Sequence, residues 1–279
     1  MSRAQYDVMR RIVEEVTGII FNDGDMEFMV RRLKPLALRF GCKDFDEFSS
    51  KARRGTTVVR NSLVDAVTTR ETLWFRDRYF ESLIGGHLLP TLAEEAIGAG
   101  RSKLKIWSAA SSSGQEAYSI AMLLAEAQNK GTLGTLRMEN CLIHGTDISL
   151  AALESARKGC YDGVAMARGL PPALKARYFD RVDGGFQVKE RLRRLTRFDR
   201  LNLLQMDQRR GNYDMILLRN VLIYFTKEAR TKILDRMAIK LRPGGVLVVG
   251  GSEDPLRYSS LWTRERMPSG TGAYFKAKV

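Results

Sequence analysis

The sequence predicts an α/β protein: a parallel nucleotide-binding sheet, preceded by an all-α N-terminal domain and interrupted by a small antiparallel insertion. Three observations predict it. Residues 104–116 run from a short apolar strand (Leu104, Ile106, Trp107) through small residues and Gly114 into a helix opened by Glu116. From about Asp77 onward, helical and strand patterns alternate, which is the rhythm of a parallel sheet. Before that, from Ser2 to about Phe75, only helical signals occur.

Within the N-terminal segment, Val8, Ile12, Val13 and Val16 form an apolar stripe closed by Gly18. Met26, Met29, Leu33 and Leu36 form a second before Gly41. Asp44 and Glu47 stand at N-cap and N3 of a third helix, in the capping-box sense. Leu63, Val64 and Val67 mark a fourth near Thr57–Thr69. Four short helices with brief loops make a small bundle over residues 1–75. A helix around Tyr79–Ile97 then ends in the Gly98-Ala99-Gly100 loop. Strand 104–108, helix 115–129, strand 141–146 and helix 149–157 follow. Near Pro171-Pro172 the rhythm breaks. Asp183-Gly184-Gly185 lies between Tyr178-Phe179 and the alternating Phe186-Gln187-Val188, a hairpin pattern, so roughly 171–198 reads as an insertion with its own sheet. The main sheet resumes with Thr196–Asn202, strand Tyr213–Leu218 and helix 227–241. Leu241-Arg-Pro-Gly-Gly stops that helix and feeds a buried strand, and Ala273–Val279 gives a last one.

Composition bounds the function. With 279 residues and 44% hydrophobic content, the chain can build one large domain plus a small one. No apolar run approaches the roughly 20 residues of a membrane helix, and Met1–Arg11 is no signal peptide. Cys42, Cys141 and Cys160 lie far apart without metal-like spacing and read as thiols of a reducing cytoplasm. With only His87 and His144, a multi-histidine metal site is not expected. The formal charge of +14 and pI near 9.9 point to an anionic partner. The excess is uneven: residues 160–210 carry 12 basic against 6 acidic side chains, and residues 1–60 carry 12 against 9.

Ligands of such sheets sit beyond the carboxyl ends of the strands, where this chain places Gly114, Glu116, Asp147, Asn202 and Asn220. Gly114 permits close backbone approach, and Asp147 can accept from two ribose hydroxyls. Two carboxylates suit a ligand with ribose and a positive charge and suit a pyrophosphate poorly. A dinucleotide dehydrogenase would show G-x-G-x-x-G, which Ser111–Ser113 and Gln115 interrupt. Its ribose acid would lie about 20 residues on, whereas Asp147 stands much farther from Gly114. The Leu241-Arg-Pro-Gly-Gly stretch resembles the turn before strand five in S-adenosylmethionine methyltransferases.

Four blocks extend that likeness: Thr69-Arg-Glu-Thr72-Leu-Trp-Phe75-Arg76-Asp77, Trp107-Ser-Ala-Ala-Ser-Ser-Ser-Gly114-Gln-Glu116-Ala-Tyr-Ser-Ile-Ala, Gly145-Thr-Asp147-Ile, and Tyr213-Asp-Met-Ile-Leu-Leu-Arg219-Asn220-Val-Leu-Ile-Tyr224-Phe225. In this order, across essentially the whole chain, they resemble the chemotaxis receptor glutamate methyltransferases of the CheR type. The resemblance implies a helical domain over 1–75 and a Rossmann-like methyltransferase domain over 76–279 with a β-subdomain inserted at about 171–198. It implies S-adenosylmethionine as cofactor and S-adenosylhomocysteine as product. Thr72 and Arg76 would contact the cofactor from the interdomain segment, Glu116 would face its methionine end, and Asp147 the ribose. Asn202-Leu203 and Arg219-Asn220 would border the adenosine, and Arg76 and Tyr224 would flank the transferring methyl group. Arg70 stands where the family usually has asparagine among its cofactor contacts, and Gln115 and Ala117 replace the usual Glu and Pro.

The chemistry fits independently of the likeness. A glutamate side chain, with an ordinary pKa of about 4.3, is already an anion at pH 7 and needs no general base to attack a sulfonium methyl. Positioning remains, and Arg76 can hold a carboxylate bidentately. The resemblance implies glutamate-rich cytoplasmic helices of chemoreceptors as partners, reached from the cytoplasm at membrane receptor arrays; the basic balance then predicts that Arg53, Arg54 and their neighbours in the N-terminal segment face the substrate helix. Some relatives grip a receptor C-terminal pentapeptide through the β-subdomain. The turn here, Asp180–Gly185, is several residues shorter, so tight binding of such a peptide is not expected. Two rival readings are a nucleic-acid methyltransferase and a non-catalytic adaptor that binds S-adenosylmethionine. Against the first, there is no Asn/Asp-Pro-Pro-Tyr/Phe tetrapeptide, no Pro-Cys nucleophile and no interleaving of aromatics with the basic runs. Against the second, Arg76, Asp147 and Tyr224 are all present.

Overall fold

Four helices make up the N-terminal segment in a computed structural model that describes residues 1–69, 71–267 and 272–278. They are α1 (Arg3–Thr17), α2 (Met26–Arg39), α3 (Phe45–Arg54) and α4 (Thr57–Val67). Ser2 and Gln5 close a capping box on α1, and Gly18 ends it in the left-handed conformation at φ 77°. The apolar residues α1 buries are Tyr6, Met9, Ile12 and Val13; Val8 and Val16 lie at the margin of that face. They meet Met29 and Leu33 of α2, Phe48 of α3 and Leu63 of α4 in a core that belongs to this segment alone. The α3 cap differs from the expected box. Asp44 accepts from the N–H groups of Asp46 and Glu47, but Glu47 reaches back to the N–H of Lys43, one residue too early.

A π-helical stretch, Glu81–Leu88, leads into α5 (Leu89–Gly98), so the expected single helix is two kinds of turn joined near Pro90, which has no N–H to donate. The chain continues through β1 (Leu104–Ala109), α6 (Gln115–Asn129), β2 (Cys141–Asp147), α7 (Leu150–Lys158), β3 (Cys160–Tyr161), α8 (Gly163–Ala167), α9 (Pro172–Tyr178), β4 (Phe179–Val182), β5 (Gly185–Val188) and α10 (Glu190–Arg193). It closes with β6 (Thr196–Arg200), β7 (Tyr213–Leu218), α11 (Lys227–Lys240), β8 (Leu241–Val249), β9 (Trp262–Arg266) and β10 (Ala273–Ala277). The strand order is β6-β2-β1-β7-β8-β10-β9. The first five strands are parallel, and β10 runs antiparallel to both β8 and β9.

β1 is the middle one of the five parallel strands and is buried on both faces: Leu104 and Ile106 pack toward one core, Trp107 and Ala109 toward the other. From β1 the chain steps outward to β2 and β6, then returns across β1 to β7. The topological switch point therefore lies between β1 and β7, where Ser108 is in register with both Gly145 and Leu217.

Three further details depart from the sequence reading. The small sheet has the order β3-β5-β4 and so draws in Cys160–Tyr161, upstream of residue 171. Leu241 already pairs with Tyr213, and Val246 pairs with Met215, so Arg242-Pro243-Gly244-Gly245 bulges out of β8 instead of preceding it. An unexpected edge strand, β9, exposes Thr263–Arg266. The last expected strand is observed as Ala273–Ala277; Val279 lies outside the described residues. Among the described residues, no helix is long and apolar enough to cross a membrane.

Candidate active site

Four strands deliver the site. Ala110, Ser111 and Ser112 follow β1, Asp147 ends β2, Leu201 and Asn202 follow β6, and Arg219 and Asn220 follow β7. They border one cavity of about 480 Å³, in the range of pockets that enclose a small organic ligand. Its opposite wall comes from outside the sheet: Thr17, Ile19 and Phe28 of the helical segment, and Thr72 and Arg76 of the connecting segment. Among the described residues, five non-glycine positions adopt left-handed φ: Phe75, Asp77, Ala110, Ser112 and Asn220. Four of them line this cavity, and Asp77 is bonded to Arg219, which also lines it. Strained backbone concentrated in one place marks a built site.

Asp147 is held rigidly. Its Oδ2 accepts from the N–H of Ser112 and its Oδ1 from the N–H of Ser149, each at 2.9 Å. Burial pushes its carboxyl pKa up, against the lowering effect of those backbone donors. It is not the cap of α7; Ser149 is, accepting from the N–H of Ala152. Glu116 is engaged on both oxygens, by the Ser108 hydroxyl at 2.7 Å and by Arg219 Nη1 at 2.8 Å. The Arg219 side chain is only 2% exposed. Its Nη2 reaches Asp77 at 2.8 Å and donates to the Arg76 carbonyl, and its guanidinium lies 4.8 Å over the Phe80 ring.

Three of the strand-end loops are tied to the helical segment. Asp65 of α4 accepts from the Ser149 hydroxyl at 2.6 Å and from the N–H of Ala151 at 3.3 Å. Asn202 Nδ2 donates to the Val16 carbonyl at 3.3 Å. The N–H of Ile20 donates to the Tyr224 carbonyl at 3.0 Å. The approach is close: a Cβ on Gly18 would meet Leu204 Cδ1 at 2.2 Å.

Of the residues singled out in the sequence, Thr72, Arg76, Glu116, Asp147, Asn202, Leu203, Arg219, Asn220 and Tyr224 line the cavity. Gly114 does not. At φ 95° it turns the chain into α6, and a Cβ there would meet Ala156 at 2.9 Å and the Tyr161 hydroxyl at 3.1 Å. Its demand for glycine comes from helix packing. Arg53 and Arg54 are exposed at the end of α3, away from the cavity wall, and Arg54 borders a separate shallow hollow with Asp44 and Lys51. Arg70 lies outside the described residues. Sequence reasoning passed over Glu253 and Asp65. Glu253 accepts from four backbone N–H groups, those of Asn220, Val221, Leu222 and Gly250. The signal for it was an acidic pair, Glu253-Asp254, after a buried strand, too common to stand out.

The family described as CheR methyltransferase, SAM binding domain, matches residues 70–264. A chemotaxis protein methyltransferase of Vibrio parahaemolyticus is 40% identical over 257 residues, covering 91% of this chain and 90% of the relative. Chemotaxis protein methyltransferase 1 of Vibrio cholerae is 39% identical with the same coverage of both chains. Chemotaxis protein methyltransferase 1 of Pseudomonas aeruginosa is 39% identical over 253 residues, covering 90% of each. With most of its length matched by the family and by these relatives, the chain belongs to the CheR family of S-adenosylmethionine-dependent methyltransferases.

Proposed function

We propose that the protein transfers a methyl group from S-adenosylmethionine to glutamate side chains of chemoreceptors, forming glutamate methyl esters and S-adenosylhomocysteine during sensory adaptation. The observation that carries this reading is that Asp147, Arg76 and Tyr224 line one cavity at the switch point of a CheR-family sheet. The cavity fits the cofactor: a fixed carboxylate for ribose at Asp147, and Glu116, Thr72, Asn202, Leu203, Arg219 and Asn220 around the rest. When bound, S-adenosylmethionine supplies a sulfonium methyl group, and the exchange makes one O–C bond and breaks one S–C bond with no proton to move.

The protein's own work is orientation, which can supply roughly 7–11 kcal/mol of a barrier. Among the described residues no hydrogen bond or ion pair occupies the Arg76 guanidinium, so it is available to hold the incoming carboxylate. The Tyr224 hydroxyl is likewise uncommitted, while its carbonyl is anchored by Ile20. Tritium-labelled cofactor incubated with membranes bearing chemoreceptors should label the receptors, with label released by base as a carboxyl ester requires. Label appearing in RNA, or none in protein, would refute the reading.

The same proposal divides the chain into a helical domain over 1–75 and a methyltransferase domain over 76–279, with the insertion at about 171–198. It places the enzyme in the cytoplasm at receptor arrays and makes protein, not nucleic acid, its substrate. Arg53 and Arg54 face the glutamate-rich substrate helix. Reversing both charges is expected to slow receptor methylation about tenfold at low salt, with the difference fading as salt screens it; an unchanged low-salt rate removes them from the docking face. The β4–β5 connection is a tight turn at Gly184, φ 78°. Calorimetric titration with a receptor C-terminal pentapeptide is therefore expected to show no binding at micromolar concentrations.

A further inference from the structure

We infer that Glu253 is a positioning residue for this site: an internal carboxylate that fixes the loop carrying Asn220 and Tyr224, on which the proposed cofactor contacts depend. The loop after β7 turns sharply because Asn220 is left-handed at φ 56°, with Val221 following at φ −126°, ψ −30°. That alternation aims successive N–H groups to one side, the arrangement that forms an anion-binding concavity. Here the anion comes from the chain itself. Glu253 Oε2 accepts from Asn220 at 2.7 Å and from Gly250 at 2.9 Å. Its Oε1 accepts from Val221 at 3.0 Å and Leu222 at 2.9 Å. Two oxygens thus meet four donors, the full acceptor capacity of a carboxylate. A glutamine would present its own N–H groups to two of them. The fit is close enough to require glycine at 250, where a Cβ would lie 2.8 Å from both Glu253 Oε2 and Asn220 Nδ2.

Glu253 does not line the cavity, whereas Asn220, Val221 and Tyr224 do. It therefore acts through them. It bolts the end of β8 to the loop after β7, on the side of the switch point opposite Asp147. Without the carboxylate, four converging N–H groups lose their acceptor, and the left-handed turn at Asn220 loses what offsets its strain.

The test uses the full chain with S-adenosylhomocysteine titrated by calorimetry and S-adenosylmethionine varied in steady-state assays, with formate or formamide added. Wild type binding and turning over is the reference; if it binds no S-adenosylhomocysteine, the cofactor reading itself fails, separately from the role of Glu253. Both Glu253→Ala and Glu253→Gln are expected to bind at least tenfold more weakly and to raise KM more than they lower kcat. Formate, which can refill the vacated nest, should restore affinity to Glu253→Ala at least in part; neutral formamide should not. A loss smaller than tenfold in either folded variant, or a loss in Glu253→Ala that formate leaves untouched, overturns the inference. Should Glu253→Ala fail to fold, Glu253→Gln, which keeps the volume, decides by its affinity alone.

Discussion

Replacing Asp147 with alanine is expected to weaken S-adenosylhomocysteine binding by about a hundredfold to ten-thousandfold. Two ligand hydroxyls on a charged acceptor contribute roughly 1.5–3 kcal/mol each, about 3–6 kcal/mol together, and about 1.4 kcal/mol is tenfold. The backbone donors at Ser112 and Ser149 occupy one site on each oxygen and leave the others for the ligand. The unliganded fold responds differently. Burial raises this carboxyl above the ordinary 3.8, so its contribution to stability is fully present below the unfolded value and is lost as pH rises through the folded one. Ionising the buried group costs stability, and its backbone hydrogen bonds repay part of that cost. Truncation should therefore move the melting temperature by only a few degrees. Because the ligand favours the ionised form, affinity should fall on acidification from a higher pH than an ordinary aspartate would give, and Asp147→Ala should abolish that dependence. Calorimetry between pH 5 and 8 checks both. Near-normal affinity in Asp147→Ala would remove the ribose assignment.

The central strands and helices were legible because burial imposes period and length on them. β7 is observed where the sequence placed it, Tyr213–Leu218, with five of six residues buried. α6 likewise spans 115–129, with 11 of its 15 residues buried. The edges were not legible. β9 exposes Thr263, Arg264, Glu265 and Arg266, so its alternation is charge against charge and reads as loop. β3 is two residues long and exists only because β5 lies beside it. At the site, residues embedded in motifs, such as Arg76, Asp147 and Tyr224, could be picked out one by one. What sequence patterns do not carry is side chain meeting distant backbone. Asp65 of α4 reaches Ser149 after β2, and Glu253 after β8 reaches Asn220 after the neighbouring β7. Gly114 shows the converse: its position in the turn was legible, but its neighbours Ala156 and Tyr161 come from later in the chain.

The largest stability effect is expected at Arg219. Truncation to methionine leaves Glu116 and Asp77 without the cation between them, and breaking a buried pair by removing one partner costs about 3–5 kcal/mol. At roughly 2–4 °C per kcal/mol for a chain of this size, the melting temperature should fall by about 6–20 °C. A drop under 3 °C by calorimetric scan would mean that water reaches the carboxylates despite the 2% exposure of the Arg219 side chain. Neutralising all three groups in Arg219→Met, Glu116→Gln, Asp77→Asn should recover most of the loss, because a buried ion triad replaced as a unit is often nearly neutral. Activity should not return with it. Arg219 also donates to the Arg76 carbonyl, and Asp77 holds a left-handed φ of 78° beside it. Trp74 and Phe75 are anchored by other bonds, and the charged triad pins the segment from Arg76 onward, where it meets the cavity. Stability regained without turnover would separate the two duties of this arginine: balancing buried charge, and holding the connecting segment against the end of β7.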